Sequence, residues 1–251
     1  MNTPSPVSAA TLEALRHVST ATVTTQLMGH GLRNTYLQGV LPLNPAQTRM
    51  VGEAFTLRYI PSREDIDVLS IFQDYDHPQR RAIESVGADT ILVIDARGQT
   101  RSACLGRILA LRLLRCGGAG IVTDGSVRDS PGFLTLDLPT FAAGVSATTV
   151  LGQHHAVDMQ VPIGCAGVAV YPGDIIVGDG EGVACIPRHL AAEVADAAVR
   201  QEHLEEFVVS RIEAGEALRG IYPPNEQTLA DYQRWAEQHP LASGTPDAGT
   251  S

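Results

Sequence analysis

Long hydrophobic runs, an excess of positive charge and paired cysteines are all missing from this 251-residue sequence. No apolar run reaches the roughly 18 residues that cross a bilayer as a helix, so we expect no membrane span. The formal net charge of −10 at pH 7 argues against a nucleic-acid-binding protein, because no basic face is available to hold a phosphate backbone. The N-terminal segment MNTPSPVSAA lacks a basic stretch followed by an apolar one. We therefore expect no secretory signal and a cytoplasmic protein.

The rest of the composition is that of an ordinary soluble globular protein, with 44% hydrophobic and 18% charged residues. No repeat, low-complexity segment or Pro/Ser-rich linker divides the chain. We predict one domain over residues 11–240, a flexible N-terminus over 1–10 and a disordered tail over 241–251. The absence of a C-x-x-C pair predicts buried, reduced thiols. The scattered cysteines are Cys104, Cys116, Cys165 and Cys185.

The order of the predicted elements indicates an α/β fold. Buried strands are predicted at 90–96 and 119–123, and helical spacing of apolar residues predicts a helix over 107–116 between them. This strand–helix–strand order is typical of a βαβ unit with parallel strands. An earlier strand is predicted at 50–60, with Gly52 as a bulge or a point of close approach. The other predicted helices lie at 11–16, 22–28, 62–72, 187–218 (one helix or a pair) and 228–237, and strand-like segments lie at 134–141 and 159–183.

The segment 117–132, GGAGIVTDGSVRDSPG, contains the strongest functional signal. Asp124-Gly125 is a turn signal after the buried strand, and the charged pair Arg128-Asp129 follows. A charged pair just beyond a parallel strand lies where α/β sheets place their ligands. The planar donors of arginine suit a carboxylate, and the oxygens of aspartate suit a divalent cation or a proton. The alternative interpretation is a salt bridge within a surface turn.

Two further groups of polar residues have simple structural interpretations. The carboxylates Asp174, Asp179 and Glu181 could bind a metal, although Asx turns explain Asp174 and Asp179 without an ion. We expect His77 to be a solvent-facing loop residue. The adjacent pair His154-His155 points to opposite sides of an extended chain, so it is a poor chelating pair.

Two long motifs carry a resemblance to a known family. The runs GRILALRLLRCGGAGIVTDGSVRD and PGDIIVGDGEGVACIP resemble the family of the regulator of ribonuclease activity A and the 4-hydroxy-4-methyl-2-oxoglutarate aldolases, whose members are often mislabelled demethylmenaquinone methyltransferases. The resemblance extends over roughly residues 19–222, and its most specific elements are GxVTDGxVRD and PGDxxxxDxxGVxxxP. It implies a swivelling β/β/α fold that forms homotrimers or homohexamers, with an active site at a subunit boundary. A methyltransferase activity is not expected, because no Gly-rich nucleotide loop opens a βα unit.

The same resemblance implies roles for individual residues. Arg128 would bind a small oxo-acid, and Asp129 would hold Mg²⁺ or Mn²⁺, largely through waters. Glu205, or Glu206 if the match slips by one residue, would complete the site from a neighbouring subunit as a base. Main-chain amides of the preceding loop and helix start would bind the pyruvate portion; the candidate residues are Cys104, Leu105 and Gly106. Such a site suits an aldolase or decarboxylase, because a divalent cation stabilises the enolate left by C–C cleavage.

Arg107 departs from the family pattern, in which an acid that orients metal-bound waters stands at this position. The reversal of charge puts the metal in doubt. We expect Arg107 and Arg128 to bind together a substrate with two acidic groups or a sugar-acid-like chain; the alternatives are that Arg107 extends into solvent or pairs with Asp129. Three functions stay open: a metal-assisted lyase, a hydratase, dehydratase or tautomerase of a keto or sugar acid, and a non-catalytic ring that binds proteins as the ribonuclease regulator does. The retained Arg128, Asp129 and Glu205 favour an enzyme.

Overall fold

A computed structural model describes residues 7–241 and divides them into two compact units. Residues 19–191 form the larger one, here called the sheet unit. Residues 7–18 and 192–241 form the smaller one, here called the helical unit. The predicted flexible ends lie largely outside the described residues, and the single domain over 11–240 stays a prediction. Between residues 7 and 241, no helix is long and apolar enough to cross a membrane.

The sheet unit contains nine strands in one mixed sheet and a separate hairpin. The strands of the sheet are β1 (Leu41–Pro42), β2 (Met50–Pro61), β3 (Thr90–Asp95), β4 (Ala103–Leu105), β5 (Gly120–Val127), β6 (Thr140–Val145), β7 (His154–Met159), β10 (Ile175–Gly178) and β11 (Val183–Ile186), and the hairpin is formed by β8 (Ile163–Cys165) and β9 (Val168–Val170). The strand order is β1-β6-β5-β3-β2-β10-β11, with β4 paired to β5 and β7 paired to β2.

Four helices belong to the sheet unit and three to the helical unit. The first group is α2 (Thr20–Gly29), α3 (Pro78–Ser85), α4 (Arg107–Arg115) and α5 (Ser130–Phe133), and the second is α1 (Ala9–Leu15), α6 (Ala191–Glu213) and α7 (Glu226–Gln238). Ser8 and Ser19 cap α1 and α2 with their hydroxyl groups. With Ser8 as the cap, α1 begins at Ala9, two residues before the predicted start. The predicted segment 187–218 forms one long helix, α6, between 191 and 213.

The predicted α/β organisation is confirmed. Strands β3 and β5 are parallel neighbours, and α4 lies between them in the chain, as the predicted βαβ unit requires. Strand β5 is buried along its whole length. The first residues of β5 are accordingly all apolar or small, as is usual for a strand that is covered on both faces. Gly52 is a point of close approach, because an added Cβ would lie 2.6 Å from the carbonyl oxygen of Asp89.

The predicted turn at Asp124-Gly125 is wrong, because β5 continues through both residues to Val127. The buried Asp124 carboxylate accepts the main-chain amides of Ala96 (2.6 Å), Gly98 (2.8 Å) and Ala166 (3.1 Å). Gly125 is needed for space, since a Cβ there would lie 2.7 Å from the sulfur of Cys104. The Asp-Gly pair therefore fixes the loop after β3 against β5.

The predicted helix over 62–72 is also wrong; only a short 3₁₀ helix, Leu69–Gln73, forms in this region. The Asp67 carboxylate explains the difference. It accepts the amide of Arg63 at 2.7 Å and pairs with the ring of His155 at 2.7 Å, so the segment before it turns to bury this side chain. Helix α3, which the sequence analysis missed, then begins at Pro78, where proline is pre-organised for a first helical position.

The three histidines discussed from the sequence, His77, His154 and His155, divide between buried and partly exposed positions. His77 precedes α3 and is buried, not solvent-facing as predicted, and burial lowers its pKa below the usual value. His154 and His155 point to opposite sides of β7, as predicted. His154 stacks on Tyr59 with ring centres 5.3 Å apart, and burial lowers the pKa of His154 as well.

Replacing Asp124 by asparagine is expected to destabilise the protein by about 1–3 kcal/mol, because an amide offers one acceptor oxygen where the carboxylate serves three buried amides. Urea unfolding followed by circular dichroism measures the loss. Asp158→Asn is the matched control, since Asp158 is exposed on β7. Equal unfolding midpoints for the two variants would contradict the anchoring role of Asp124.

Candidate functional site

A cleft of about 140 Å³ opens in the sheet unit where β4 and β5 end. Its walls include the segment 103–106, the pair Arg128-Asp129 and the side chain of Gln79. This volume is several times the roughly 10–15 Å³ that one water molecule needs. A small organic acid is therefore a ligand of suitable size for the cleft. The predicted cluster of Cys104, Leu105, Gly106, Arg128 and Asp129 therefore lines one cavity.

The pairing of β4 with β5 brings these residues together. Leu105 stands opposite Val127 in a parallel register, and the amide of Arg128 donates to the carbonyl of Leu105 at 3.0 Å. Both strands end at the same level, so the start of α4 after β4 faces the residues after β5. A parallel sheet edge is the usual position for a ligand in an α/β protein.

Gly106 gives the site its close packing. An added Cβ would lie 2.6 Å from Oδ2 of Asp129 and 2.9 Å from Nε of Arg128. The backbone of Gly106 is extended, with φ −125° and ψ −179°, a conformation open to any residue. Space, rather than backbone conformation, thus requires glycine at this position.

Asp129 adopts a left-handed conformation, with φ 60° and ψ 33°. Non-glycine residues seldom adopt it, and where they do the position is often functional. Asp129 directly precedes α5, but its carboxylate makes no capping hydrogen bond to the helix amides. Oδ2 lies 3.6 Å from Nε of Arg128, and both side chains are about half exposed. A salt bridge of this exposure contributes little to stability, so both groups remain available to a ligand.

The electrostatics of the cleft favour an anion. Helix α4 begins at Arg107 with Gly106 as its N-cap, and no side chain caps its first amides. The amides at a helix start carry partial positive charge and bind carboxylates. Arg128 adds a full charge with a planar set of donors. Together they provide two kinds of donor for one carboxylate.

Cys104 contributes its main chain to the cleft, not its thiol. The side chain is fully buried, and burial raises the pKa of Cys104 to about 12. Its carbonyl accepts hydrogen bonds from the Tyr59 hydroxyl at 3.2 Å and from Gln79 Nε2 at 2.5 Å. Cys165 and Cys185 are buried too, whereas Cys116 is partly exposed, so the predicted burial of the thiols holds at three positions.

The structure does not bring Arg107 or Glu205 into the lining of the cleft. Arg107 is exposed, and its aliphatic Cδ lies over Gly132, so the two-arginine clamp stays a prediction. Glu205 belongs to α6 in the helical unit, is half-buried and accepts Nε2 of Gln201 at 2.7 Å; Glu206 is exposed. The role of either glutamate in a neighbouring subunit's site stays a prediction as well.

The residues present fit a weakly held divalent cation. Asp129 is the carboxylate of the cleft, and no group of three or more His, Cys, Asp or Glu side chains suited to a metal occurs between residues 7 and 241. Magnesium keeps several waters and needs only one or two protein carboxylates, so Asp129 with a substrate's oxygens meets its minimum requirement. A closed, structural metal site is not what these residues form.

The acidic residues of the second motif hold turns. Asp179 accepts the amide of Glu181 at 2.9 Å, which forms an Asx turn, and the amide of Thr20, the first residue of α2, at 2.7 Å. Asp174 accepts the amides of Tyr171 at 2.8 Å and of Arg188 at 3.1 Å. The structural interpretation of both residues is confirmed.

Gln79 and Tyr59 were missed by the sequence analysis. Gln79 lines the cleft from the first turn of α3, and Tyr59 supports it from β2. Pro78 was the available signal, because a proline followed by polar residues and an apolar pair is typical of a helix start. Tyr59 carries no sequence signal of its own beyond the strand pattern.

Replacing Gly106 by alanine is expected to displace the Asp129 carboxylate and the Arg128 guanidinium while leaving the fold intact. A shift of about 1 Å in such groups lowers activity by about 100-fold, whereas stability should change by no more than about 1 kcal/mol. Pyruvate release from a 2-oxo acid measures the first effect and urea unfolding the second. Gly164→Ala is the control, because nothing lies within 4 Å of its added Cβ. Full activity in Gly106→Ala would contradict this geometry.

The chain is similar to proteins of a known family. The family model RraA-like, described as Aldolase/RraA, matches residues 20–185. A protein of Halalkalibacterium halodurans, provisionally named a 4-hydroxy-4-methyl-2-oxoglutarate aldolase, is 31% identical over 65% of the chain and 71% of its own length. Protein DlpA of Legionella pneumophila is 28% identical over 77% of the chain, and the match spans only 30% of DlpA.

A solved structure shows the same fold. Streptomyces coelicolor RraAS2, described as an unusual member of the RNase ES inhibitor RraA protein family, has a TM-score of 0.72 and 31% sequence identity, with 81% of this chain and 97% of that one covered. The predicted RraA-like α/β fold is therefore confirmed.

Proposed function

We propose, because the chain belongs to the RraA-like family described as Aldolase/RraA, that it is a lyase which cleaves a carbon–carbon bond of a small 2-oxo acid and releases pyruvate or a similar product. The observation that supports this most strongly is the meeting of Gly106, Arg128 and Asp129 in one small cleft. The name of the Halalkalibacterium relative supports an aldolase among the possible lyases.

In this proposal the cleft binds the 2-oxo acid by its carboxylate. The uncapped amides of α4 and the guanidinium of Arg128 donate to the carboxylate oxygens. Arg128 would also donate to the neighbouring ketone oxygen, where negative charge develops as the carbon–carbon bond breaks. Donors placed before the reaction stabilise that charge without reorganising, which is the main source of rate enhancement in such sites.

Asp129 is the residue that would hold Mg²⁺ or Mn²⁺. The ion, when bound, would supply Lewis-acid stabilisation of the developing oxyanion. Two further properties of Asp129 suit it to bind such an ion. Its left-handed backbone holds the carboxylate beside Gly106, and its half-exposed oxygens leave room for waters.

A base for the substrate hydroxyl is proposed to come from a neighbouring subunit of a trimer or hexamer. Glu205, half-buried on α6, is the candidate because the family resemblance places the glutamate of the neighbouring subunit at this position, and Glu206 is the alternative one residue away. A carboxylate that loses more of its water at a subunit boundary becomes a stronger base. Size-exclusion chromatography with light scattering tests the assembly on which this role depends.

Replacing Arg128 by alanine is expected to lower kcat/KM for pyruvate release by about 100-fold or more, because it removes the charged donor that stabilises the transition state. The wild-type protein is incubated with 4-hydroxy-4-methyl-2-oxoglutarate and with oxaloacetate, and pyruvate is followed with lactate dehydrogenase. Arg115→Ala is the control, since Arg115 is exposed in the last turn of α4, away from the cleft. No pyruvate from either substrate would refute the lyase.

Removal of divalent cations with EDTA is expected to lower the wild-type rate by about tenfold or more, and added Mg²⁺ or Mn²⁺ should restore it. Asp129→Asn should lose the metal response, because an amide holds these cations less well than a carboxylate. If the rate in EDTA equals the rate in magnesium, the charge is stabilised by Arg128 and the α4 amides without an ion.

A second candidate function is regulation of a ribonuclease by protein binding. The similarity to the Streptomyces structure, described as a member of an RNase inhibitor family, supports it. This function needs neither the close approach at Gly106 nor the left-handed Asp129. Inhibition of ribonuclease E by the wild-type protein, equal to that by Arg128→Ala, together with no pyruvate release, would favour the regulator.

A further inference from the structure

Gln79 presents an unpartnered acceptor to the cleft. The residue is 6% exposed, and it lines the cavity together with the segment 103–106. Its Nε2 donates to the carbonyl of Cys104 at 2.5 Å and to the hydroxyl of Tyr59 at 3.0 Å. A side-chain amide nitrogen has two hydrogens, so both are used.

The carbonyl of Cys104 fixes the orientation of the Gln79 amide. A carbonyl oxygen only accepts, so the nitrogen of the amide, and not its oxygen, must face it. The Tyr59 hydroxyl donates to the same carbonyl at 3.2 Å and accepts from Gln79, which makes the three groups mutually consistent. Burial raises the pKa of Tyr59 well above its usual value, in keeping with a hydroxyl that donates to the carbonyl of Cys104.

The remaining oxygen, Oε1 of Gln79, is open to the cleft. Within residues 7–241, the side-chain atoms enclosed without a hydrogen-bond partner are Oε1 of Gln47 and Oγ of Ser102. Oε1 of Gln79 is not enclosed, and no donor of the described chain bonds to it. In the free protein water can bond this oxygen, and a ligand that displaces the water without supplying a donor would leave it unpaired.

We infer that Gln79 is a specificity-determining residue that accepts a hydrogen bond from the hydroxyl group of a hydroxylated 2-oxo acid; this rests on the proposed lyase function. The lining of the cleft then offers two chemically different kinds of group. Arg128 and the start of α4 donate, and they suit the carboxylate and the ketone. Gln79 only accepts, so a hydroxyl suits it and a carboxylate or ketone oxygen does not.

If Gln79 has this role, the protein should bind 4-hydroxy-2-oxo acids more tightly than 2-oxo acids that lack the hydroxyl. Sites built to bond a substrate hydroxyl reject analogues without it, because the protein acceptor is then left unpaired. A site of hydrophobic walls alone would not discriminate in this way. Gln79 would orient the hydroxyl but would not remove its proton, since an amide is not a base at neutral pH.

The test compares two ligands that differ only in this hydroxyl, 4-hydroxy-2-oxoglutarate and 2-oxoglutarate. Their dissociation constants are measured by isothermal titration calorimetry in EDTA, and kcat/KM is measured for 4-hydroxy-2-oxoglutarate and for oxaloacetate with Mg²⁺. The variant is Gln79→Met, which keeps the length of the side chain and removes the acceptor. Gln38→Met is the matched control, because Gln38 is exposed and lies outside the cleft.

Wild type is expected to bind the hydroxylated ligand about 10- to 100-fold more tightly than its analogue, and Gln79→Met should abolish most of that ratio. The same variant should lose more kcat/KM for 4-hydroxy-2-oxoglutarate than for oxaloacetate. An equal loss for both substrates would show that Gln79 only supports Cys104, and would overturn the inference, as would equal binding of the two ligands by wild type. If Gln79→Met does not fold, the wild-type ratio of dissociation constants decides.

Failure of the proposed function gives a different result from failure of this inference. Ligand discrimination without pyruvate release would refute the lyase and keep the acceptor role of Gln79. Pyruvate release without discrimination would keep the lyase and refute the acceptor role. Binding of neither ligand to wild type would refute both.

Discussion

The pairing of a three-residue strand with the end of β5 is the constraint on which the site depends. The amide of Arg128 donates to the carbonyl of Leu105 at 3.0 Å, and this bond ends both strands at one level. β3 pairs with the first half of β5, and β4 takes over beside its second half. Asp124 holds the chain where β4 replaces β3 as the neighbour of β5. Its carboxylate accepts the amides of Ala96 and Gly98 in the loop that leads from β3 to β4.

From this pairing follow both the charge pattern and the shape of the cleft. The start of α4 and Arg128 supply donors on one side, and Asp129 lies beside them because Gly106 has no side chain. Tyr59 and Gln79 both donate to the carbonyl of Cys104, so this carbonyl of β4 is held by two side chains. A cavity lined by charged and main-chain donors and by a neutral side-chain amide is suited to a short, asymmetric substrate. The proposed chemistry of a hydroxylated 2-oxo acid is consistent with that asymmetry.

The sequence predicted the parts of the site that are continuous in the chain. Hydrophobic patterning was sufficient for β3, α4 and the start of β5, and the motif with Arg128-Asp129 indicated the sheet edge at which the cleft opens. Prediction from the sequence failed where a side chain bonds to main-chain groups far away in the chain. Asp124-Gly125 has the pattern of a turn, yet the Asp124 carboxylate accepts amides of the loop after β3 and also the amide of Ala166. Likewise, a helix was predicted around Asp67, but the chain turns there because Asp67 pairs with His155, 88 residues away. Gln79 was missed for the same reason, because its partners lie in two other strands.

A crystal structure of the protein grown with pyruvate tests the central claim most directly, since it shows whether the edge of β4 and β5 binds a 2-oxo acid. We expect pyruvate in the cleft, with its carboxylate at the amides that follow Gly106 and within hydrogen-bond distance of the Arg128 guanidinium. Pyruvate bound elsewhere, or an empty cleft at a pyruvate concentration that inhibits the proposed reaction, would contradict this expectation.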